Sequence, residues 1–342
     1  MTTIKDFGKI FRSNPTLQEL CQRVTEGGRR RHIALDGLNA SAVSLATAAL
    51  FDEKCCNNIL VIADDADKAG YLYFDLTQLI GSDRVAFFPA LYKHIHKSGT
   101  TIAENGILRT DSLNKISDGK PCIIVSYPDA ISEKVVAADR FASARIALTK
   151  GQEYAMSTLL DDLRNSGFEE VDFVYEVGQY SQRGSIVDVF SYSNELPYRI
   201  DFFGDTVESI RTFDIERQLS IEEVDRLAVV AATDSEEQGK VSLLEFVAPD
   251  TLIVANDIDY CIKRIDQIYS QALVKANEQR QTSDLYSSLI DGDGFRQQLE
   301  EFFTVEVLRN FYKADTLGFA TLLQPNFNKN FDLISKNIKQ YL

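Results

Sequence analysis

Asn57-Asn58-Ile59-Leu60-Val61-Ile62-Ala63-Asp64-Asp65 decides the fold class. Its apolar run is rich in β-branched residues, too short for a helix, and bounded by polar turn residues at both ends. A strand apolar at consecutive rather than alternate positions is buried on both faces, as in a parallel sheet covered by helices. Similar runs recur at His32–Leu35, at Val85–Phe88 closed by Pro89, at Pro121–Val125 and at Thr251–Ala255. Between them, helical spacing predicts helices over Ser41–Phe51, Ala66–Ile80, Asn105–Ile116 and Asp259–Gln279, with another opening over Pro128–Lys134. Asn14-Pro15 starts an earlier helix carrying Leu17, Leu20, Cys21 and Val24 on one face. Strand and helix in alternation predict an α/β domain.

The pattern breaks near residue 145. A helix over Glu153–Ser166, stopped by Gly167, precedes expected strands at Asp172–Val177, Gly184–Phe190, Tyr198–Phe203 and Val207–Phe213. This reads as a small α+β domain with an antiparallel meander. From about Leu227 the α/β pattern resumes. The polar stretch Arg280–Gly294 reads as loop.

The chain has 342 residues and a net charge of −15, and the charge is uneven. Residues 151–239 hold 20 Asp and Glu against 6 Arg and no Lys, a net of −14, which leaves −1 for the rest. The acidic balance argues against a chain that binds nucleic acid by electrostatics alone. The run Arg29-Arg30-Arg31 reads as a solvated face rather than a DNA site. No apolar run is long enough to cross a membrane, and the N-terminus lacks the pattern of a secretory signal. Five irregularly spaced cysteines suit a reducing cytoplasm better than a disulfide framework. Cys122 and Cys261 read as buried small hydrophobes. His94 and His96 have no cysteine near them in sequence, so no metal site is expected.

Two places carry chemistry. His32-Ile33-Ala34-Leu35-Asp36-Gly37 leads through Ala42-Val43-Ser44 into a helix, the position of a phosphate-binding loop. A working loop reads G-x-x-x-x-G-K-[ST], with glycines that let backbone N–H groups wrap phosphates and a lysine that reaches the terminal ones. Gly37 and Ser44 match, but Ala42 replaces the second glycine and Val43 replaces the lysine. The loop is either a degenerate phosphate loop or an ordinary strand–helix turn, and neither reading supports nucleotide hydrolysis. No catalytic residue and no cofactor are expected.

The second place is the hairpin Tyr198 to Arg211, turning at Gly204-Asp205. With a two-residue turn, Phe202 lies opposite Val207, and Tyr198, Ile200 and Phe202 share the core face. Arg199, Asp201 and Phe203 share the other face, next to Thr206 and Glu208. An arginine and a phenylalanine on one solvent-side face suit a protein-binding hot spot, and Arg183 adds a second guanidinium nearby. The same pattern also suits an aromatic capping a core edge beside a surface ion pair.

The stretch Gln182-Arg183-Gly184-Ser185-Ile186-Val187-Asp188-Val189-Phe190, continued by Pro197 to Phe203-Gly204-Asp205 and Glu208 to Asp214, resembles a long signature. Bacterial transcription-repair coupling factors share that signature with the excision-repair protein UvrB. Gly37 to Ser44 resembles the decayed phosphate loop of the coupling factors, whereas UvrB keeps an intact one. Phe87-Phe88-Pro89 resembles the family's F-F-P turn, and residues 90–105 show no counterpart of UvrB's long DNA-clamping hairpin.

The resemblance implies a helicase-like parallel-sheet domain in two parts, 1–144 and 231–342, with a UvrA-docking domain at 145–230 inserted between them. It further implies a non-catalytic module whose UvrA contacts fall on Arg183, Arg199 and Phe203, with no cofactor, in the cytoplasm. RNA polymerase and DNA would be engaged only by downstream domains outside the chain, one of which could mask the docking face. Arg183 and Arg199 are expected to meet acidic groups of the partner, and Asp201 and Glu208 basic ones. The alternative is a nucleotide-binding, UvrB-like damage-recognition ATPase.

Overall fold

The structure is a computed structural model that describes residues 8, 11–27, 31–91, 102–143, 145–192, 194, 196–230, 240–278, 287–308, 315–322 and 330–341. Arg29, Arg30, His94 and His96, named above, lie outside the described residues, as does most of the 90–105 region.

Seven strands form one parallel sheet. Their order is Thr316–Gly318, His32–Asp36, Phe303–Leu308, Leu252–Ala255, Ile59–Ile62, Ile123–Ser126 and Val85–Phe87. The four residues of Ile59–Ile62 are all buried, as their uninterrupted apolar run requires. Strand His32–Asp36 lies between Thr316–Gly318 and Phe303–Leu308, and Leu252–Ala255 pairs with Ile59–Ile62, so residues on either side of the insertion build a single core. That core draws buried residues from Leu17 to Phe141 and again from Val230 to Phe319.

The N-terminal helix Pro15–Glu26 starts as its sequence predicts: the Asn14 side chain accepts from the N–H groups of Thr16 and Leu17, and Pro15 needs no N–H partner. Asp65 caps Ala66–Ile80 in the same way. Two expectations fail nearby. The helix opening at Pro128 ends at Ile131, because Glu133 and Lys134 turn to meet residues 288–289. Part of the expected 280–294 loop is helix Gly292–Leu299, capped by Asp291, whose carboxylate accepts from Gly294 N–H at 2.7 Å.

The inserted unit has its own core, drawn from Ile146 to Val229. Its first strand Arg145–Thr149 pairs antiparallel with its last, Arg226–Val230, so the chain enters and leaves at adjacent points. Helix Met156–Asn165 packs Leu159 and Leu163 into that core. It begins three residues later than expected, because Glu153 bridges to Thr206 instead.

The main sheet runs in the order Ser220–Glu223, Thr206–Phe213, Tyr198–Phe203, Ile186–Val189, Gln179–Arg183 and Glu169–Glu170. Its pairs are antiparallel except the last. The expected strand at Asp172–Val177 is absent. Those residues bend over the outer face of the sheet, where Val174 joins Phe190 and Phe213 in a small second cluster. The strand in that register is Gln179–Arg183, whose polar sequence hid it from apolar patterning.

Candidate functional site

The hairpin at Gly204-Asp205 has the register its sequence implies: Phe202 opposes Val207 and Phe203 opposes Thr206. Gly204 sits at φ +61°, a conformation glycine adopts without steric cost. A bulge at Glu208 then shifts the pairing so that Asp201 opposes Ser209. The extra residue lets Val207 and Ile210, three apart, both reach the core. Tyr198, Ile200 and Phe202 are buried, as side-chain parity requires.

The opposite face carries a lateral row of polar residues across five strands: Ser181, Asp188, Arg199, Arg211 and Glu223. Asp188 has no exposed side-chain surface, and two guanidiniums hold it. Arg199 donates Nε to Oδ1 at 2.8 Å and Nη2 to Oδ2 at 2.9 Å. Its Nη1 donates to the Gln218 carbonyl at 3.1 Å, and its guanidinium lies 4.5 Å above the Phe213 ring centroid. The hydrogen bonds to Asp188, and then its charge, push the Arg199 guanidinium further above its ordinary range, against the opposing effect of burial.

Arg183 reaches the same Asp188 oxygen with Nη2, and its guanidinium stacks 4.8 Å from the ring of Phe173. Its Nη1 is buried without a hydrogen-bond partner. The tight turn at Gly184-Ser185 makes this possible, since it folds Ile186–Val189 back beside Gln179–Arg183.

Phe203 is different. Its side chain is 78% exposed at the tip of the hairpin, and it borders a shallow groove with Thr149, Gly151, Val207, Glu208 and Asp225. All three expected docking residues thus lie on one face of one sheet, but they are not alike. Arg199 is 14% exposed and internally paired, Arg183 is half-buried, and Phe203 projects freely. The charge expectation changes accordingly: Asp188 already meets both guanidiniums, and Asp201 is held by Ser185 and Arg211.

Sequence reasoning missed Phe173, Tyr175 and Leu219, large exposed apolar side chains beside this platform. Val174 and Gln218 link their segments, with Gln218 Nε2 donating to the Val174 carbonyl at 3.4 Å. Reading 172–177 as a strand concealed the group. The signal lay in three large apolar residues, Phe173, Val174 and Tyr175, standing in a row in a polar setting.

The glycine turn follows strand His32–Asp36 at the carboxyl edge of the parallel sheet, where such folds bind ligands. Here the chain itself occupies the turn. Gly37 adopts φ +71°, and a Cβ there would stand 2.0 Å from the Phe319 carbonyl oxygen. Thr321 donates its hydroxyl to the Gly37 carbonyl at 2.6 Å and accepts from the Asn39 N–H at 2.9 Å. The Asn39 amide donates to the Thr321 carbonyl at 3.1 Å. Ala42 and Val43 pack against the main core, and the buried Ser44 donates its hydroxyl to Asp75 at 3.2 Å. Among the described residues no cluster of potential metal ligands occurs, and no helix is long and apolar enough to cross a membrane.

Comparisons with known proteins agree with this geometry. Residues 146–234 match the UvrB interaction domain. The chain is 24% identical to the transcription-repair-coupling factor of Escherichia coli (strain K12) over 217 residues, 63% of this chain and 19% of that protein. It is 30% identical to the transcription-repair-coupling factor of Bacillus subtilis (strain 168) over 188 residues, 55% of this chain and 16% of that protein. UvrABC system protein B of Streptococcus pyogenes serotype M2 (strain MGAS10270) is 23% identical over 320 residues, 90% of this chain and 43% of that protein. The chain therefore spans less than a fifth of the length of these coupling factors and less than half of that UvrB protein. The match to a UvrB interaction domain thus falls on the unit set into the seven-stranded parallel α/β domain, and the chain as a whole is similar to part of the transcription-repair-coupling factors and of UvrABC system protein B.

Proposed function

We propose that the chain is a non-catalytic recruitment module that binds UvrA and so brings nucleotide excision repair to the site where a coupling factor acts on stalled RNA polymerase. The observation that carries this reading is the exposed Phe203 beside an ordered arginine platform on the outer face of the inserted sheet. An aromatic side chain held out by a strand, next to guanidiniums already fixed in place, offers a contact with little ordering cost. The apolar side chains of Phe173, Tyr175 and Leu219 extend the same face. The proposed division at 1–144, 145–230 and 231–342 follows the two cores and the pairing of Arg145 with Val230.

The occupied glycine turn supports the non-catalytic part of the reading. The Asn39 N–H and the Gly37 carbonyl are both satisfied by Thr321, and no lysine stands at position 43. A phosphate would have to displace the chain around Phe319 and Thr321 and would then find no cation from position 43.

The test is a titration of UvrA with this chain and with Phe203→Ala. Truncation of an exposed hot-spot aromatic should weaken binding by about tenfold or more, while the melting temperature stays unchanged. Equal affinities for the two proteins would remove Phe203 from the contact. Titration with ATP and with ADP should give no binding, and saturable nucleotide binding lost on changing Gly37 would favour the UvrB-like ATPase instead.

A further inference from the structure

Helix Ala66–Ile80 packs over strands Val85–Phe87 and Ile123–Ser126 at one end of the parallel sheet. Asp65 fixes its start by accepting from the Lys68 N–H at 2.8 Å, and its inner side buries Ala69, Leu76, Leu79 and Ile80. Tyr73 is half-buried, with its ring centroid 5.3 Å from that of Phe87. The outer side consists of Asp67, Tyr71, Phe74 and Gln78, which follow helical spacing and are all exposed. Tyr71 is 76% exposed and Phe74 62%, and the Tyr71 hydroxyl has no hydrogen-bond partner among the described residues. Gly70 leaves a hollow on the helix beside Phe74, since a Cβ there would meet nothing within 4 Å.

Two aromatic side chains one turn apart, on a helix whose inner side is already packed, offer apolar area at little ordering cost. The charges around them select what they fit. Residues 64–80 carry Asp64, Asp65, Asp67 and Asp75 against one cation, Lys68. Lys68 donates Nζ to Asp64 Oδ2 at 2.6 Å, and Asp75 accepts from the Ser44 hydroxyl. Asp67 lies one turn before Tyr71 on the outer side, with no hydrogen bond or ion pair among the described residues. These carboxylates repel phosphate and anionic lipid, and a second copy would set one net charge of −15 against another. Guanidinium groups suit both parts of the surface, because they pair with carboxylates and also lie on aromatic faces. The hollow at Gly70 lets another backbone come close, as helix-on-helix packing requires.

We propose that the outer side of helix Ala66–Ile80 is a docking surface for an amphipathic, arginine-bearing helix of a protein partner. Leucine-type side chains of that helix pack over Tyr71 and Phe74 and enter the hollow at Gly70. Its arginines reach Asp67 and lie on the exposed ring faces. Such a partner carries its apolar residues at three- and four-residue spacing, so that the two helices interdigitate. The surface belongs to the main α/β domain, whereas Phe203 belongs to the inserted unit, so the two contacts are independent.

The test is fluorescence anisotropy with a labelled helical peptide that carries leucine at i, i+3, i+4 and i+7 and arginine at the flanking positions. The chain should bind it saturably, and Tyr71→Ala and Phe74→Ala should each weaken binding by about tenfold at an unchanged melting temperature. Asp67→Asn should weaken it by roughly threefold and reduce its dependence on salt. Gly70→Leu fills the hollow without removing any contact, so the melting temperature should hold or rise while peptide binding falls. Phe203→Ala should bind the peptide as the unmodified chain does. Adhesion to the acidic inserted unit by charge alone predicts equal binding of a peptide with alanine in place of leucine, unaffected by Tyr71→Ala and Phe74→Ala. That result, or no binding of the leucine peptide, would overturn the proposal. Sedimentation covers the other occupant: a dimer of the chain that Phe74→Ala dissociates would assign the face to a second copy and overturn it as well.

Discussion

The Asp188 carboxylate lies wholly out of water and receives two parallel hydrogen bonds from Arg199, at 2.8 and 2.9 Å. A buried carboxylate of this kind is tolerated because a second guanidinium, Arg183, also reaches it, while the Phe213 ring covers the Arg199 guanidinium.

Replacing Asp188 with Ala should therefore cost about 3–5 kcal/mol, since it strands two guanidiniums that are partly removed from water. Urea unfolding of the inserted unit, followed by tyrosine fluorescence, measures this. A loss under about 1 kcal/mol would mean that the pairing is a surface contact of little weight.

Arg199→Glu should be as damaging as Asp188→Ala, because it sets a second carboxylate against the buried one. Phe203→Ala should change stability by less than about 0.5 kcal/mol, as its side chain projects into water. The contrast matters for any binding study. A loss of partner binding in Arg199→Glu has two causes, whereas the same loss in Phe203→Ala has one. Thermal melts of both variants separate them.

Val43→Lys alone should not create nucleotide binding. The turn is tied to Thr321, and Ser44 already donates to Asp75. Isothermal titration with ATP is the check, and micromolar binding would show that the lysine was the only missing part. Gly37→Ala should destabilise the main domain by about 1–3 kcal/mol, from its positive φ and the clash with the Phe319 carbonyl.

At low pH, Glu170 supplies a small, defined effect. The Tyr180 hydroxyl at 2.9 Å, and then Arg164, hold its pKa below the ordinary carboxylate value. The contribution to stability is present above the ordinary carboxylate pKa and is lost as pH falls through the lowered one. Tyr180→Phe removes the larger cause, so the Glu170 titration, read by carboxyl NMR, should move upward. A Glu170 titration unmoved in Tyr180→Phe would assign the shift to Arg164.

Much of the fold is legible in the residues themselves. The apolar run Ile59–Ile62 could only be a strand covered on both sides, and Gly204-Asp205 set the hairpin register and hence the outward direction of Arg199 and Phe203. The strand Gln179–Arg183 was not legible. Its residues are polar because its outer face feeds the Asp188 cluster and its neighbours, so no apolar alternation marks it. Asp172–Val177 misled for the converse reason: its apolar residues cover a sheet face and pair with no strand.

The sequence by itself determined which side of the sheet Arg199 and Phe203 face, and that position 43 carries no lysine. Both follow from local geometry, a two-residue period and a residue type. Only the tertiary structure decided that Arg199 and Arg183 share a buried carboxylate, while Phe203 alone stands free. Only it decided that the glycine turn is filled by Phe319 and Thr321, more than 280 residues away along the chain. Periodicity reports the direction of a side chain. What meets it there depends on strand order and distant contacts, which no local pattern encodes.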